Sequence, residues 1–285
     1  MLGIPSYAFG VVANNWLTGT PTATPGTILG DPGATPHTKS ATTALIGTGI
    51  AQPGYLIKID LTGTSATGVD TSALCDIMYD PAGGTAWEVL IPNLICGYRA
   101  ISGAAFQSCS GYVFPLYIPR GSSIGARWQS IVASPAAGTR VRLQVTIYGG
   151  PSSPGFWYGT KVTDIGTNTA TSAGLDLNPG STGTYSAWTS IGGATNPAFG
   201  FVTMGVQGSA TTHTADVYHV QYGFGSTQIP GAQMRFGYTT AEVICDFPQH
   251  LGCYVDVPGA TQMQVRATGS DATSEDPSVA LYGVS

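Results

Sequence analysis

The chain has 285 residues, of which only 9% are charged, and its 10 basic and 15 acidic side chains leave a net charge of −5. Ordinary globular proteins carry about 25% charged residues, so hydroxyls, amides and backbone must solvate this surface. The lack of any Lys/Arg cluster argues against a face that binds nucleic acid by releasing counterions. Apolar runs are short and broken by Gly or Pro, well below the roughly 20 residues of a spanning helix.

The first segment, residues 1–24, opens with no basic stretch ahead of its apolar residues, so it is not expected to act as a secretion signal. Tyr7, Phe9, Val11, Val12 and Trp16 are too apolar for a free tail. Two readings stand: an extended arm that docks on a neighbouring subunit, or a first strand tucked onto its own domain.

From there on the dominant signal is period-2 alternation over four to eight residues, the mark of a strand with one buried face. In Val141-Arg-Leu-Gln-Val-Thr-Ile-Tyr148, Val141, Leu143, Val145 and Ile147 share one face. Tyr55 to Asp60, Leu74 to Tyr79, Trp87 to Ile91, Val113 to Ile118 and Ser123 to Gln129 behave alike, with turn residues between them. Short strands at this spacing predict an all-β fold of the antiparallel sandwich or jelly-roll kind.

The second half of the chain repeats the first in five collinear blocks. Ile118-Pro-Arg-Gly-Ser-Ser-Ile124-Gly-Ala126-Arg127 aligns without a gap on Val257-Pro-Gly-Ala-Thr-Gln-Met263-Gln-Val265-Arg266. Val145-Thr-Ile-Tyr-Gly149 matches Val279-Ala-Leu-Tyr-Gly283, and Cys96-Gly-Tyr98 matches Phe236-Gly-Tyr238. Upstream, Ser40 to Gly47 resembles Ser186 to Gly192, and Gln52 to Tyr55 resembles Asn196 to Phe199. Hydrophobic positions alone would prove little, because antiparallel strands look alike; Pro, Gly and Arg at fixed offsets carry the match. The expected organisation is an arm (1–24), a β-sandwich domain (25–150), a linker (151–159) and a second, duplicated β-sandwich domain (160–285).

Motifs for chemistry are sparse. The string Gly121-Ser-Ser123-Ile-Gly125 has the GxSxG form, but it leads into a strand rather than a helix, and Gln262 replaces Ser123 in the repeat. It is expected to be a plain turn. Ser108-Cys109-Ser110-Gly111 has no surrounding pattern. A β-rich glycosidase would need two facing carboxylates; Asp60, Asp70, Asp76, Asp80 and Glu88 in the first half and Glu242, Asp246 and Asp256 in the second supply candidates, yet the repeated blocks do not carry acids in both copies. Asp76 and Asp80 read as strand-edge and turn residues. His213 and His219 would share a strand face but lack a third metal ligand. Cys75, Cys96, Cys109, Cys245 and Cys253 are expected to be thiols, with a Cys245 to Cys253 bridge as the alternative. Phe156, Trp157, Tyr158 and Trp188 could stack on sugar rings, or pack at a seam or in the core. The expectation is a non-enzyme without catalytic, cofactor or metal residues; the sequence assigns no ligand-binding residue.

At the repeated Ile/Val-Pro-turn-strand-Arg block followed by Val-x-Ile/Leu-Tyr-Gly, the chain resembles tandem β-sandwich proteins found on tailed bacteriophages and phage-derived gene transfer agents. The resemblance covers residues 25–285 and rests on short, structural motifs. It implies a virion structural protein on the particle surface, as a head spike, capsid decoration, tail fibre or baseplate part. It further implies a homo-oligomer that contacts other virion proteins and reaches the extracellular space on release. The alternative is a carbohydrate-binding adhesin for host surface polysaccharide.

Overall fold

In a computed structural model the protein is all-β, with no helix among the described residues. The structure describes residues 10–15, 26–29, 37–64, 71–98, 109–131, 140–149, 157–167, 174–180, 182–193, 196–207, 216–238, 243–244, 252–270 and 277–285. The first half holds β1 (Gly10–Asn14), β2 (Thr27–Ile28), β3 (Thr43–Ile46), β4 (Gly54–Thr64), β5 (Thr71–Asp80), β6 (Glu88–Tyr98), β7 (Cys109–Phe114), β8 (Ser123–Ser130) and β9 (Arg140–Gly149). The second holds β10 (Val162–Ile165), β11 (Leu175–Asp176), β12 (Thr189–Ile191), β13 (Phe199–Gln207), β14 (Asp216–Phe224), β15 (Ile229–Tyr238), β16 (Val243–Ile244), β17 (Cys253–Val257), β18 (Met263–Gly269) and β19 (Ser278–Val284).

Four sheets result, and pairing between these strands is antiparallel throughout. Sheet I runs β1-β9-β4-β7 with β2 also beside β9, and sheet II runs β3-β8-β5-β6. Sheet III runs β10-β19-β13-β17 with β11 also beside β19, and sheet IV runs β12-β18-β14-β15-β16. The two pairs of sheets have the same strand order once β16 is set aside. Sheets I and II close one sandwich, whose core includes Ile57, Ile59, Leu74, Ile77, Trp128, Val145 and Ile147. Sheets III and IV close the other around Met204, Tyr218, Val220, Tyr222, Val265 and Leu281.

The residues that make the sequence repeat occupy matching places. Ser40 and Trp128 exchange backbone and side-chain bonds: the Ser40 N–H donates to Trp128 O at 2.8 Å, and the Trp128 N–H donates to the Ser40 hydroxyl at 3.2 Å. Ser186 and Ala267 repeat the arrangement at 2.8 and 3.1 Å. Arg127 lies opposite Asp76 across β8 and β5, and Arg266 lies opposite Gln221 across β18 and β14.

The two cores share a wall, sheet III, instead of meeting at a hinge. Along β19, Val279 and Leu281 point into the second core, whereas Ala280, Tyr282 and Val284 belong to the first. On β13, Val202, Met204 and Val206 face the second core and Phe201 the first. Strand alternation thus buries sheet III on both faces. Tyr282 meets Tyr112 edge-on at 5.6 Å and Phe114 at 6.2 Å between ring centroids, an arrangement aromatic quadrupoles favour.

The end of the expected linker is also fastened. The Gly159 N–H donates to Pro115 O at 3.0 Å, the Tyr117 N–H donates to Gly159 O at 2.9 Å, and the Thr160 N–H donates to Ser285 O at 2.8 Å. Residues 151–156 lie outside the described residues.

For residues 10–14 the structure shows a strand on the protein's own sheet: β1 pairs with β9, and Asn15 continues the ladder through its side-chain amide, accepting from the Val145 N–H at 2.7 Å and donating to Leu143 O at 3.0 Å. Tyr7, Phe9 and Trp16 lie outside the described residues.

Candidate functional site: two arginine positions and an aromatic seam

Three side-chain groupings stand out. The first is a buried ion cluster on the outer face of sheet II. Asp76 is not at a strand edge, because β5 lies between β8 and β6. It is 3% exposed, and its carboxylate accepts from Lys39 Nζ at 2.7 Å, Arg127 Nε at 2.8 Å and the Asn93 N–H at 2.9 Å. A carboxylate buried this deeply survives only if such partners replace its water. Burial pushes the Lys39 ammonium below its ordinary pKa, against the pull of Asp76.

The Asn93 N–H reaches Asp76 because the β5–β6 register slips between Cys75/Leu94 and Ile77/Ile91, leaving Pro92 and Asn93 opposite one residue. Pro has no N–H to give a ladder, and Asn tolerates the left-handed φ of 48° that the bulge requires. The bulge turns Asn93 towards the second sandwich. Its Nδ2 donates to Asp164 at 2.8 Å, and its carbonyl accepts from the Tyr282 hydroxyl at 2.8 Å. Tyr282 in turn accepts from the Ile95 N–H at 2.8 Å, and the Tyr112 hydroxyl donates to Ile95 O at 2.7 Å. Asp164 also accepts from the Thr167 hydroxyl. The chain of bonds spans the seam and is structural in character, since its donors and acceptors are satisfied by one another.

The second grouping is an exposed aromatic patch across the seam. Tyr158 stacks on Tyr117 at 5.7 Å and tilts against Tyr55 at 5.1 Å. Its neighbour Trp157 packs edge-on against Tyr254 at 6.1 Å, and Tyr254 against Phe201 at 5.4 Å. Trp157, Tyr158 and Tyr254 are 42%, 37% and 52% exposed. Tyr55 and Tyr117 come from the first sandwich and Tyr254 from the second, so the patch exists only because the two are locked together. Gly200 makes room for it, since a Cβ there would sit 2.3 Å from the Trp157 ring.

The third grouping lies on the outer face of sheet IV. Arg266 packs its guanidinium against the rings of Tyr185 at 4.4 Å and Trp188 at 4.3 Å, and donates through Nε and Nη2 to Gln221 Oε1 at 2.9 and 2.6 Å. Tyr185 stands where Lys39 stands in the first sandwich, one residue before the matched serines, and Gln221 stands where Asp76 stands.

The remaining candidates take ordinary places. Asp80 organises the turn after β5, accepting from the Ala82 and Ala86 N–H groups at 2.8 and 2.9 Å. Asp60 pairs with Lys58 on the surface of β4 at 2.9 Å, and Glu88 and Asp256 are exposed. The GxSxG string forms a turn: Gly121 has φ 90°, its N–H donates to Ile50 O, and Ser122 donates to Pro119 O. Cys75 and Cys96 are buried and outside any disulfide, and Cys253, also outside a disulfide, lies 2.7 Å from the Tyr222 hydroxyl. His219 lies on β14 with Arg235 opposite. Among the described residues no three His, Cys, Asp or Glu side chains gather to hold a metal. Cys109 falls on β7; Asp70, Ser108, Phe156, His213, Glu242, Cys245 and Asp246 lie outside the descriptions above. Sequence reasoning missed Arg266 and Tyr254, although the aligned repeats hold the signal for Arg266: the arginine is kept while its acidic partner is not.

Fold and site define an all-β protein of fused double-sandwich build. No protein-family model matches the chain, and no curated protein does. Among solved structures, "N-glycanase F (PNGase F)" aligns over 94% of this chain and 98% of its own at 9% identity, with a TM-score of 0.35. "PBSX exported protein XepA" aligns over 98% of this chain and 99% of its own at 11% identity, with a TM-score of 0.26.

Proposed function

We propose that the protein is a non-enzymatic structural component of the surface of a tailed-phage-type particle, present as a homo-oligomer, and that the seam patch is its subunit contact. The patch carries this reading. Large contiguous apolar exposure on a folded protein marks an interaction surface, and aromatic residues are the side chains most enriched at interface centres. Low charge suits such a role, since an uncharged surface costs less to desolvate on assembly. The burial of sheet III between the two cores gives a rigid block with few internal hinges, as a lattice or spike needs.

Native mass spectrometry of the full chain, alongside Trp157→Ala/Tyr254→Ser, tests it. A closed oligomer that the double variant reduces to monomers, with unchanged circular dichroism, is the expected result. A monomer that also fails to bind particles lacking it would overturn the reading.

A second reading rests on the same rings. Half-exposed Trp and Tyr side chains can stack on the apolar faces of neutral sugars, which makes the patch a host-glycan contact in a carbohydrate-binding module. A glycan array read with the same double variant separates the two: glycan signals lost in the variant while the wild type stays monomeric support the module.

A further inference from the structure

The two sandwiches place an arginine at the same cross-strand position and treat it differently. Arg127 is neutralised by Asp76, with Lys39 completing the cluster. Arg266 has Gln221 opposite it and Tyr185 in place of Lys39, so its charge meets no carboxylate among the described residues. It is nonetheless held in place, with two of its nitrogens on one amide oxygen and its plane against two rings. A guanidinium fixed in this way has little conformational entropy left to lose on binding, and its remaining N–H groups suit a planar anion.

The surrounding face is equipped for more than a bare ion. Core-facing Tyr218, Val220, Met263, Val265 and Ala267 alternate with outward residues, so His219, Gln221, Gln264, Arg266 and Thr268 share the outer face of sheet IV. Gln264 Oε1 and Thr268 Oγ1 are buried on it without a hydrogen-bond partner, and Thr268 is only 7% exposed. Unsatisfied buried polar atoms are costly, and a bound polar group would satisfy them. Described side chains on this face include no acid, although the whole chain carries −5.

We infer that the outer face of sheet IV is a binding site for a carboxylated sugar residue, of the uronic acid class, within an acidic polysaccharide. Arg266 takes the carboxylate through the guanidinium N–H groups that Gln221 leaves unused. Trp188 and Tyr185 offer apolar ring surface to the sugar, and Gln233, which accepts from the Tyr185 hydroxyl at 3.2 Å, lies beside them with an amide for its hydroxyls. The site uses none of the seam aromatics and does not depend on the proposed place of the protein in a particle.

The test is titration of the full-length protein with trigalacturonate, with an uncharged trisaccharide and with acetate, followed by tryptophan fluorescence and calorimetry. Three variants accompany it. Arg266→Gln removes the cation. Gln221→Asp supplies an internal carboxylate as in the first sandwich, keeps every partner in place and should block the site without unfolding it. Trp157→Ala disables the seam patch alone. Expected are saturable binding of trigalacturonate, weakening at high salt; a loss of about tenfold or more in both Arg266→Gln and Gln221→Asp; and no change in Trp157→Ala. Absence of trigalacturonate binding, or binding that Gln221→Asp leaves intact, would overturn the inference. Acetate or the uncharged trisaccharide binding as tightly as trigalacturonate would overturn it too. If Trp157→Ala alone abolished binding, the sugar would belong to the seam patch and the second functional reading, not to sheet IV.

Discussion

Arg127 donates from Nε to Asp76 at 2.8 Å across β8 and β5, with the carboxylate almost fully withdrawn from water. Asp76→Asn keeps the shape but leaves Lys39 and Arg127 without their counter-charge, and Lys39 is well buried. Removing one partner from a buried ion cluster costs about 3 kcal/mol or more. Denaturant unfolding should show that loss; a change below about 0.5 kcal/mol, the size of a surface substitution, would mean that solvent already screens the cluster.

Tyr282 links the sandwiches through both ends of its hydroxyl. Tyr282→Phe leaves the Ile95 N–H and the Asn93 carbonyl without this partner in a dry seam, at a cost of about 1–3 kcal/mol. Because β19 serves both cores, the loss should appear in the first and second sandwich together. Hydrogen exchange that slackens in only one of them would refute the coupling of the two cores through β19.

Alkaline stability follows from the same burial. Desolvation raises the phenols of Tyr282 and Tyr222 well above their ordinary value of 10.0. A raised pKa means that the unfolded chain loses its proton first, so this contribution is whole below pH 10 and is lost as pH climbs above it. Lys39 has the opposite sign: its folded pKa lies below 10.5, so the unfolded chain binds the extra proton and stability rises as pH approaches 10.5. Unfolding free energy should therefore hold or rise slightly up to about pH 10 and fall beyond it. Tyr282→Phe should shrink the fall; an identical alkaline limb in the variant would count against this assignment.

Much of this architecture is legible in the sequence, because strands with one wet face advertise themselves by alternation. The matched blocks are legible because Ser40 and Ser186, and Arg127 and Arg266, sit at fixed register in corresponding strands, so their spacing is constrained. The fused seam was less visible. β9 alternates Val, Arg, Leu, Gln and Val, as a strand with a half-open face does, whereas β19 runs Ser-Val-Ala-Leu-Tyr-Gly-Val and is buried throughout. That contrast is a signal for a sheet covered on both sides, but it does not say what covers it. Asp76 was misplaced because the strand order that makes β5 interior cannot be read from periodicity. Trp157 and Tyr158 stand out in the sequence as aromatics beside the linker, but their partners Tyr55, Tyr117 and Tyr254 do not, because these come together only through the packing of two sandwiches.

The edge formed by β1 gives a test of the arm. Deleting residues 1–24 removes the β1 ladder and the bonds from Asn15 to Val145 and Leu143, and bares the edge of β9 from Val145 to Gly149, while β2 still covers Arg142 and Leu143. An unpaired strand edge invites association with other chains. The truncated protein should therefore be less stable and more prone to aggregate, while an oligomer built on the seam patch, as proposed above, should keep its stoichiometry. A clean drop to stable monomers on truncation would show that the arm, not the patch, joins the subunits.

The last of the repeated positions are Gly149 and Gly283, and they exclude a methyl group for different reasons and to different degrees. A Cβ on Gly149 would lie 2.2 Å from the Pro53 carbonyl oxygen and 3.0 Å from Gly54 Cα, all backbone, so only movement of β4 away from β9 could admit it. On Gly283 the Cβ would lie 2.4 Å from the Phe199 ring, a side chain that is itself buried in the second core. Overpacking of this kind costs about 1–3 kcal/mol, more where the obstacle cannot rotate. Gly149→Ala should therefore be the worse of the two and should disturb the β4–β9 amides in particular. Gly283→Ala paired with Phe199→Leu should regain stability over Gly283→Ala alone, as a ring exchanged for a smaller group gives the methyl space. Gly149→Ala has no such compensating partner, and equal rescue at both sites would show that the backbone approach at Pro53 is not what excludes a side chain there.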